Sequence, residues 1–295
     1  MENGCIDLHL HSHFSCDGDF SPEELIIMAK ASGFRAIAIA DHDTVSAYPE
    51  ALEIGRSHGV EVIPSIEVTT LYDGREFHLQ LPFVDWESRA IRHIIQKMEH
   101  SRMEEAQARV ARLRELGINI DWNEVWRECQ GVPPLGVKIA QVLLSKPESR
   151  EHPLLEKYYD ENNQPVAPYL FYQDYFAEDG LAYVSKKHLS LEEVLSLAPE
   201  TGGVPVLSHP GAYFQRTTRE DLARLKELGL QGLEVFTSYH TPEQTSYYLT
   251  LCQEFDLVAT AGSDFHGKIK PRVKFGQIRD GHYDMVLRLK ERMSR

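Results

Sequence analysis

The sequence predicts an α/β barrel interrupted by a helical insertion, and three observations point there. Short runs rich in Ile and Val alternate with amphipathic segments, as buried parallel strands alternate with helices. Residues able to bind metal stand at the ends of those runs or just after them, where a parallel barrel gathers side chains from distant parts of the chain. Between 101 and 183 the alternation stops: the stretch reads as helical or irregular and carries prolines at 133, 134, 147, 153, 165 and 168. The barrel is therefore expected over 1–100 and 184–295, and the insertion over 101–183.

In chain order, Ile6 to His9 is the first expected strand. Ser21-Pro22-Glu23-Glu24 then starts a helix with a serine cap, a first-turn proline and early acids that suit the helix dipole, and Gly33 is placed to end it. Arg35 to Ala40 and Val60 to Ile66 are the next strands, and His78 is expected on a neighbouring one. Glu87 to Leu116 reads as one long charged helix that leads into the insertion. Val204 to Ser208, Gly232 to Phe236 and Leu257 to Ala261 resume the strands, with a helix from Thr241-Pro242-Glu243 to near Phe255.

The 295 residues suffice for one large domain or a smaller one with an insertion. The formal net charge of −14, with no long basic run, argues against binding long nucleic acid by its backbone. A small phosphorylated molecule at a metal site remains compatible, because metal ions reverse the field of their acidic ligands. Cys5, Cys16, Cys129 and Cys252 form no C-x-x-C pair and are expected as reduced thiols. No signal segment and no apolar run of about 18 residues is present, so a cytoplasmic protein is expected.

The chemistry-bearing groups are Asp7-Leu8-His9-Leu10-His11 with Asp17, Ala40-Asp41-His42-Asp43, Ile66-Glu67, His78, Ser208-His209-Pro210 and Ser263-Asp264-Phe265-His266. In extended chain His9 and His11 point to one side, as do Asp264 and His266, so each pair can serve one metal or two neighbours. Imidazole suits Zn, Mn and Fe, and carboxylates can bridge two ions. Six histidines and three carboxylates without cysteine indicate a multinuclear hydrolytic centre.

This set resembles the polymerase and histidinol phosphatase (PHP) superfamily, most nearly the bacterial phosphoesterases related to nucleoside 3',5'-bisphosphate phosphatase. The resemblance covers about Cys5 to Glu87 and Tyr183 to Gly276. It implies a distorted seven-stranded barrel with two or three divalent metals (Mn, Zn or Fe). His9, His11, Glu67 and Asp264 would hold the first, and a bridging Glu67 with His78 and His209 the second. Asp17, His42 and His266 would complete a third site. The activity implied is hydrolysis of a small phosphomonoester by a hydroxide held between metals, with no protein nucleophile. Candidate substrates are a nucleoside bisphosphate, a nucleoside monophosphate or the end of a short oligonucleotide. Histidinol-phosphate phosphatase is the enzymatic alternative, and a non-catalytic PHP module ranks below it.

One departure concerns substrate. Nucleotide-cleaving relatives carry an Arg-x-His pair in the insertion, where this chain has Gly136-Val137-Lys138-Ile139-Ala140. Lys138 offers a point charge in place of a guanidinium fork. His240, beside a helix start, is the other expected phosphate contact, against the plainer reading of a surface loop histidine. Asp41 and Asp43 are weighed as groups that orient His42, Glu234 as either a pocket residue or an ordinary ion-pair partner, and Lys186 as solvated surface charge.

Overall fold

The computed structural model describes residues 5–212, 214–278 and 280–293, so the outermost residues of both expected barrel segments lie outside it. Among the described residues the strands form two sheets. β1 (Cys5–Leu10), β2 (Phe34–Ile39) and β3 (Glu61–Pro64) pair in parallel. The second sheet runs β4 (Glu67–Tyr72), β5 (Arg75–Gln80), β6 (Val206–Leu207), β7 (Gly232–Thr237) and β8 (Val258–Gly262).

The parallel pattern expected from the sequence holds except at β5, which runs antiparallel to both β4 and β6. The cause is local. Asp73 and Gly74 both have positive φ, 49° and 73°, the signature of a two-residue hairpin turn, and a turn that short can join only antiparallel strands. The hairpin sets Thr69 opposite His78 and brings Glu67 and His78 into one sheet.

Helices cover the strands. α1 (Pro22–Ala31) begins with the Ser21–Glu24 capping box, and Gly33 follows its end at φ +74°. α2 (Glu50–His58) connects β2 to β3. α3 (Arg89–Glu115), capped by Ser88, is the expected long helix and serves two cores. Ile91, Ile94 and Met98 pack with Val68, Leu79, Leu207 and Leu233 against the sheet. Further along, Ala106, Val110 and Leu113 join a separate core with Ile139, Leu143, Phe171 and Phe176. Each fully buried aliphatic or aromatic side chain contributes about 1.5–3 kcal/mol, so both cores are substantial.

That second core is built by α4 (Trp122–Glu128), α5 (Gly136–Ser145), α6 (Ala167–Phe171) and single helical turns between them. α7 (Leu191–Thr201), α8 (Arg219–Glu227), α9 (Pro242–Glu254) and α10 (Tyr283–Arg292) complete the fold. No helix among the described residues is long and apolar enough to cross a membrane. The two sheets meet through isolated bridges, Leu10 to Phe265 and His42 to Glu67, and these junctions carry the residues of interest.

Candidate metal centre

Backbone hydrogen bonds stitch the strand ends together. Asp264 N–H donates to His9 O at 2.9 Å, His11 N–H to Phe265 O at 3.0 Å, Glu67 N–H to Asp41 O at 3.1 Å, and Ser208 N–H to His78 O at 3.0 Å. His209 and Asp264 hold φ of 27° and 58°, a left-handed backbone that turns the chain inward as the strands end.

All nine side chains singled out in the sequence converge. Glu67, fully buried, is the hub: Oε1 lies 3.2 Å from His9 Nε2, 3.2 Å from His78 Nδ1 and 3.1 Å from His209 Nε2. Its Oε2 lies 3.4 Å from His11 Nε2 and 3.1 Å from His42 Nδ1. Asp264 Oδ1 faces His9, His11 and His266 at 3.6, 3.2 and 3.4 Å. Asp17 Oδ2 faces His266 and His42 at 3.4 and 3.8 Å.

Three groups have donor atoms that all lie within 4.8 Å of one another: His9, His11, Glu67 and Asp264; His11, Asp17, His42 and His266; and His42, Glu67 and His78. Donors placed tetrahedrally at the usual 2.0–2.2 Å from an ion stand roughly 3.4 Å apart, the separation seen here. Eight of the nine residues, His78 excepted, also carry a buried nitrogen or oxygen without a hydrogen-bond partner among the described residues. Such atoms are costly unless something binds them, and this donor set fits divalent cations.

The electrostatics agree. Burial works against the Glu67 carboxylate, yet His9, His78 and His42 hold its pKa well below the usual value. Burial likewise opposes a charge on His78, but Glu67 lifts it to about 9, and His9 is raised well above normal by Glu67, Glu234 and Asp264. His266 is pushed down to about 4 by burial, with His11 and Lys270 adding to the effect. The carboxylates are thus held in their charged form by the imidazoles around them, the form in which they can bind a cation.

Supporting residues surround it. Glu234 Oε1 lies 3.0 Å from His9 Nδ1, and its Oε2 accepts from His209 N–H at 2.8 Å, so its partner in the ion pair is a residue of the cluster itself. Buried Asp7, pushed up to about 6 by burial, accepts from Ser263 N–H at 2.9 Å and His9 N–H at 3.2 Å. Asp41 and Asp43 do not bond the His42 ring. Asp41 accepts from Ser12 N–H and Oγ–H, both at 2.6 Å, and Asp43 takes Arg102 Nε at 3.0 Å.

Lys186 differs from the surface charge expected. Only 14% of its side chain is exposed; it pairs with Glu76 and donates to Tyr172 Oη at 3.2 Å, while Glu76 lies 3.3 Å from His78 Nε2. Nothing in the local sequence signals this burial, which depends on Glu76, 110 residues away, and on Tyr172. Lys138 sits part-exposed on α5 with no ion pair among the described residues.

His240 is partly buried and already committed. Its Nε2 accepts from Gly211 N–H at 2.9 Å, its Nδ1 lies 2.8 Å from Val235 O, and the ring stacks on Tyr248. Neither nitrogen is left to reach a phosphate in this arrangement. A cavity of about 190 Å³ opens beside His42, lined also by Phe14, Ser15, Arg102, Val132 and Leu135. A larger open groove of about 860 Å³ lies around Tyr158 and Asp174 and includes none of the nine residues.

The chain is similar to known proteins along most of its length. Residues 7–120 match the model of the PHP domain. The phosphoribosyl 1,2-cyclic phosphate 1,2-diphosphodiesterase of Eggerthella lenta is 29% identical over 89% of this chain and 94% of its own. The 3',5'-nucleoside bisphosphate phosphatase of Chromobacterium violaceum is 27% identical over 88% and 87%. The 5'-3' exoribonuclease of Haemophilus influenzae is 26% identical over 88% and 89%. A solved structure from Bifidobacterium adolescentis, assigned as a metal-dependent phosphoesterase, superposes with a TM-score of 0.81 at 27% identity, covering 97% of this chain and 96% of that one.

Proposed function

We propose that the chain is a metal-dependent phosphoesterase of the PHP superfamily that hydrolyses a small phosphomonoester at the cluster centred on Glu67. Substrates in this reading are a nucleoside bisphosphate, a nucleoside monophosphate or the end of a short oligonucleotide; a relative named as a nucleoside bisphosphate phosphatase supports the first and one named as an exoribonuclease the last. The net charge of −14 supports a short ligand over a long nucleic acid.

The convergence of the nine side chains carries the proposal. We read His9, His11, Glu67 and Asp264 as holding one ion, and Glu67, His78 and His209 a second, where His209 is supported by its 3.1 Å approach to Glu67 and His42 is the histidine whose donor atom groups with those of Glu67 and His78. Asp17, His42 and His266 would hold a third, with His11 near enough to share. Mn, Zn and Fe all suit imidazole with carboxylate. Bound ions of this kind supply charge compensation for the phosphate and a reactive water at neutral pH.

The chain's own residues perform the remaining tasks. Glu67 presents one oxygen to each side of the cluster and so fixes the spacing of neighbouring positions. Glu234 holds His9 with Nδ1 turned away from the centre, which leaves Nε2 directed inward. No side chain is needed as nucleophile. The cavity beside His42, between the sheet's end and the insertion, supports placing the organic part of the ester there. The bridges at Leu10–Phe265 and His42–Glu67 support treating the two sheets as one distorted barrel of the PHP type, with 101–183 as an insertion that roofs the site.

The test is phosphate release by purified, Mn²⁺-loaded protein from a panel that includes a purine 3',5'-bisphosphate, nucleoside monophosphates, a 5'-phosphorylated trinucleotide and histidinol phosphate. Turnover of at least one member is expected. Absence of release from every member, with metal bound, would defeat the reading.

A further inference from the structure

The candidate ligand set uses only one oxygen of Asp264. Oδ1 faces the rings of His9, His11 and His266, whereas Oδ2 accepts from Tyr239 Oη–H at 2.6 Å and meets the Lys270 ammonium. Lys270 Nζ also donates to Tyr239 Oη at 3.0 Å. The Lys270 side chain is 14% exposed, and Asp264 is its sole ion-pair partner among the described residues. It reaches the centre from the loop that follows His266, which Asp19 anchors through the Lys268 N–H.

A buried ammonium needs a counter-charge. Here that counter-charge is a carboxylate whose other oxygen belongs to the cluster, so an ion held at Oδ1 draws on the charge that neutralises Lys270. The ammonium has three N–H donors; Asp264 and Tyr239 accept from it, and the Tyr169 phenol is a further neighbour.

We propose that Lys270, held by Tyr239 and Asp264, is a substrate contact whose remaining N–H donates to a non-bridging oxygen of the phosphoryl group and of the orthophosphate product. A compact ammonium suits this role, because it serves as a point charge toward phosphate. The assignment rests on the phosphoesterase reading of the site. It gives the cluster a protein cation on the side where Asp264 turns its second oxygen.

The experiment compares Mn²⁺-loaded wild type with Lys270→Ala, Lys270→Arg and Tyr239→Phe. Metal stoichiometry, thermal midpoint and orthophosphate affinity by calorimetry are measured beside kcat/KM on the best ester of the panel. Lys270→Ala is expected to keep its metal and to bind orthophosphate about ten- to a hundredfold more weakly, the span of one hydrogen bond to a charged group. Lys270→Arg should recover most of that loss, and Tyr239→Phe should fall between. Unchanged orthophosphate affinity in Lys270→Ala overturns the assignment. So does loss of metal in proportion to loss of activity, since Lys270 would then only position Asp264. Should the alanine variant fail to fold, Lys270→Met, which keeps the aliphatic stem, permits the same comparison. Wild type that holds metal yet neither binds orthophosphate nor cleaves any ester would sink the phosphoesterase reading itself, an outcome separable from a failure at Lys270.

Discussion

Glu234→Gln is a nearly isosteric change whose consequence can be worked from two contacts. Both partners of Glu234 are donors: His209 N–H is always one, at 2.8 Å, and His9 Nδ1, at 3.0 Å, must be one if Nε2 is to present a lone pair to a cation. A carboxylate accepts from both. A glutamine has one oxygen and one NH₂, so it can satisfy only one of them. If its oxygen stays on the backbone N–H, its NH₂ faces His9 Nδ1, which forces the proton onto Nε2, the atom that points at Glu67 and Asp264. If it turns, the buried His209 N–H loses its acceptor, which costs about 1–3 kcal/mol. Groups that orient a metal-binding histidine typically contribute ten- to a hundredfold in metal affinity, about 1.4–2.7 kcal/mol. Glu234→Gln should therefore weaken the tightest metal by that factor, measured by competition with a chelator of known affinity. Imidazole nitrogen shifts should show His9 Nδ1 without a proton in the metal-free variant and with one in the metal-free wild type. Wild-type affinity together with an unchanged His9 tautomer would refute the argument.

Metal removal by chelator should abolish phosphate release and lower the thermal midpoint, since an ion present at a hundred times its Kd adds about 2.7 kcal/mol to the folded state; restoring Mn²⁺ should recover both. Glu105→Gln should cost about 3–5 kcal/mol in urea melts at neutral pH, because it leaves Arg109, 2% exposed, without the carboxylate 2.6 Å away. Burial opposes the Glu105 charge, but Arg109, His188 and Arg102 hold its pKa below the ordinary 4.5, so its stabilisation is complete above that value and is lost as pH falls below it. The difference between wild type and Glu105→Gln should accordingly shrink on acidification below about pH 4.5. Lys138→Ala should change KM by no more than about fivefold, the worth of one part-exposed charge. His240→Ala should cost about 1–3 kcal/mol of stability through its two backbone contacts, with orthophosphate affinity little changed.

What the sequence makes legible is whatever depends on short-range pattern. Ser21-Pro22-Glu23-Glu24 specifies a helix start whose capping box appears as expected, because every group involved lies within one turn. His9-x-His11 and Asp264-x-His266 are readable as pairs, since alternation in extended chain is a property of the backbone. The β4–β5 hairpin is missed when Val60 to Ile66 is read as one strand and parallel order is extended to its neighbours. Its signal is present in Asp73-Gly74, flanked by Thr-Thr-Leu-Tyr and Arg-Glu-Phe-His.

The supporting groups are a different matter, because their roles depend on partners far away in the chain. Glu234 is 225 residues from His9, and Lys186 is 110 from Glu76; neither neighbour can be inferred from local composition. His240 illustrates the same point: a helix start beside it is visible in sequence, but Gly211 and Val235 engaging both ring nitrogens is not. The backbone at His209 and Asp264 ties the two levels together. Positive φ at a residue other than glycine costs about 1–3 kcal/mol where the structure enforces it, and such strain concentrates at functional sites. Glycine would relieve it at either position but would remove a donor from the cluster. At these two positions the chain keeps histidine and aspartate where conformation alone favours glycine, so side-chain chemistry prevails over local backbone preference there.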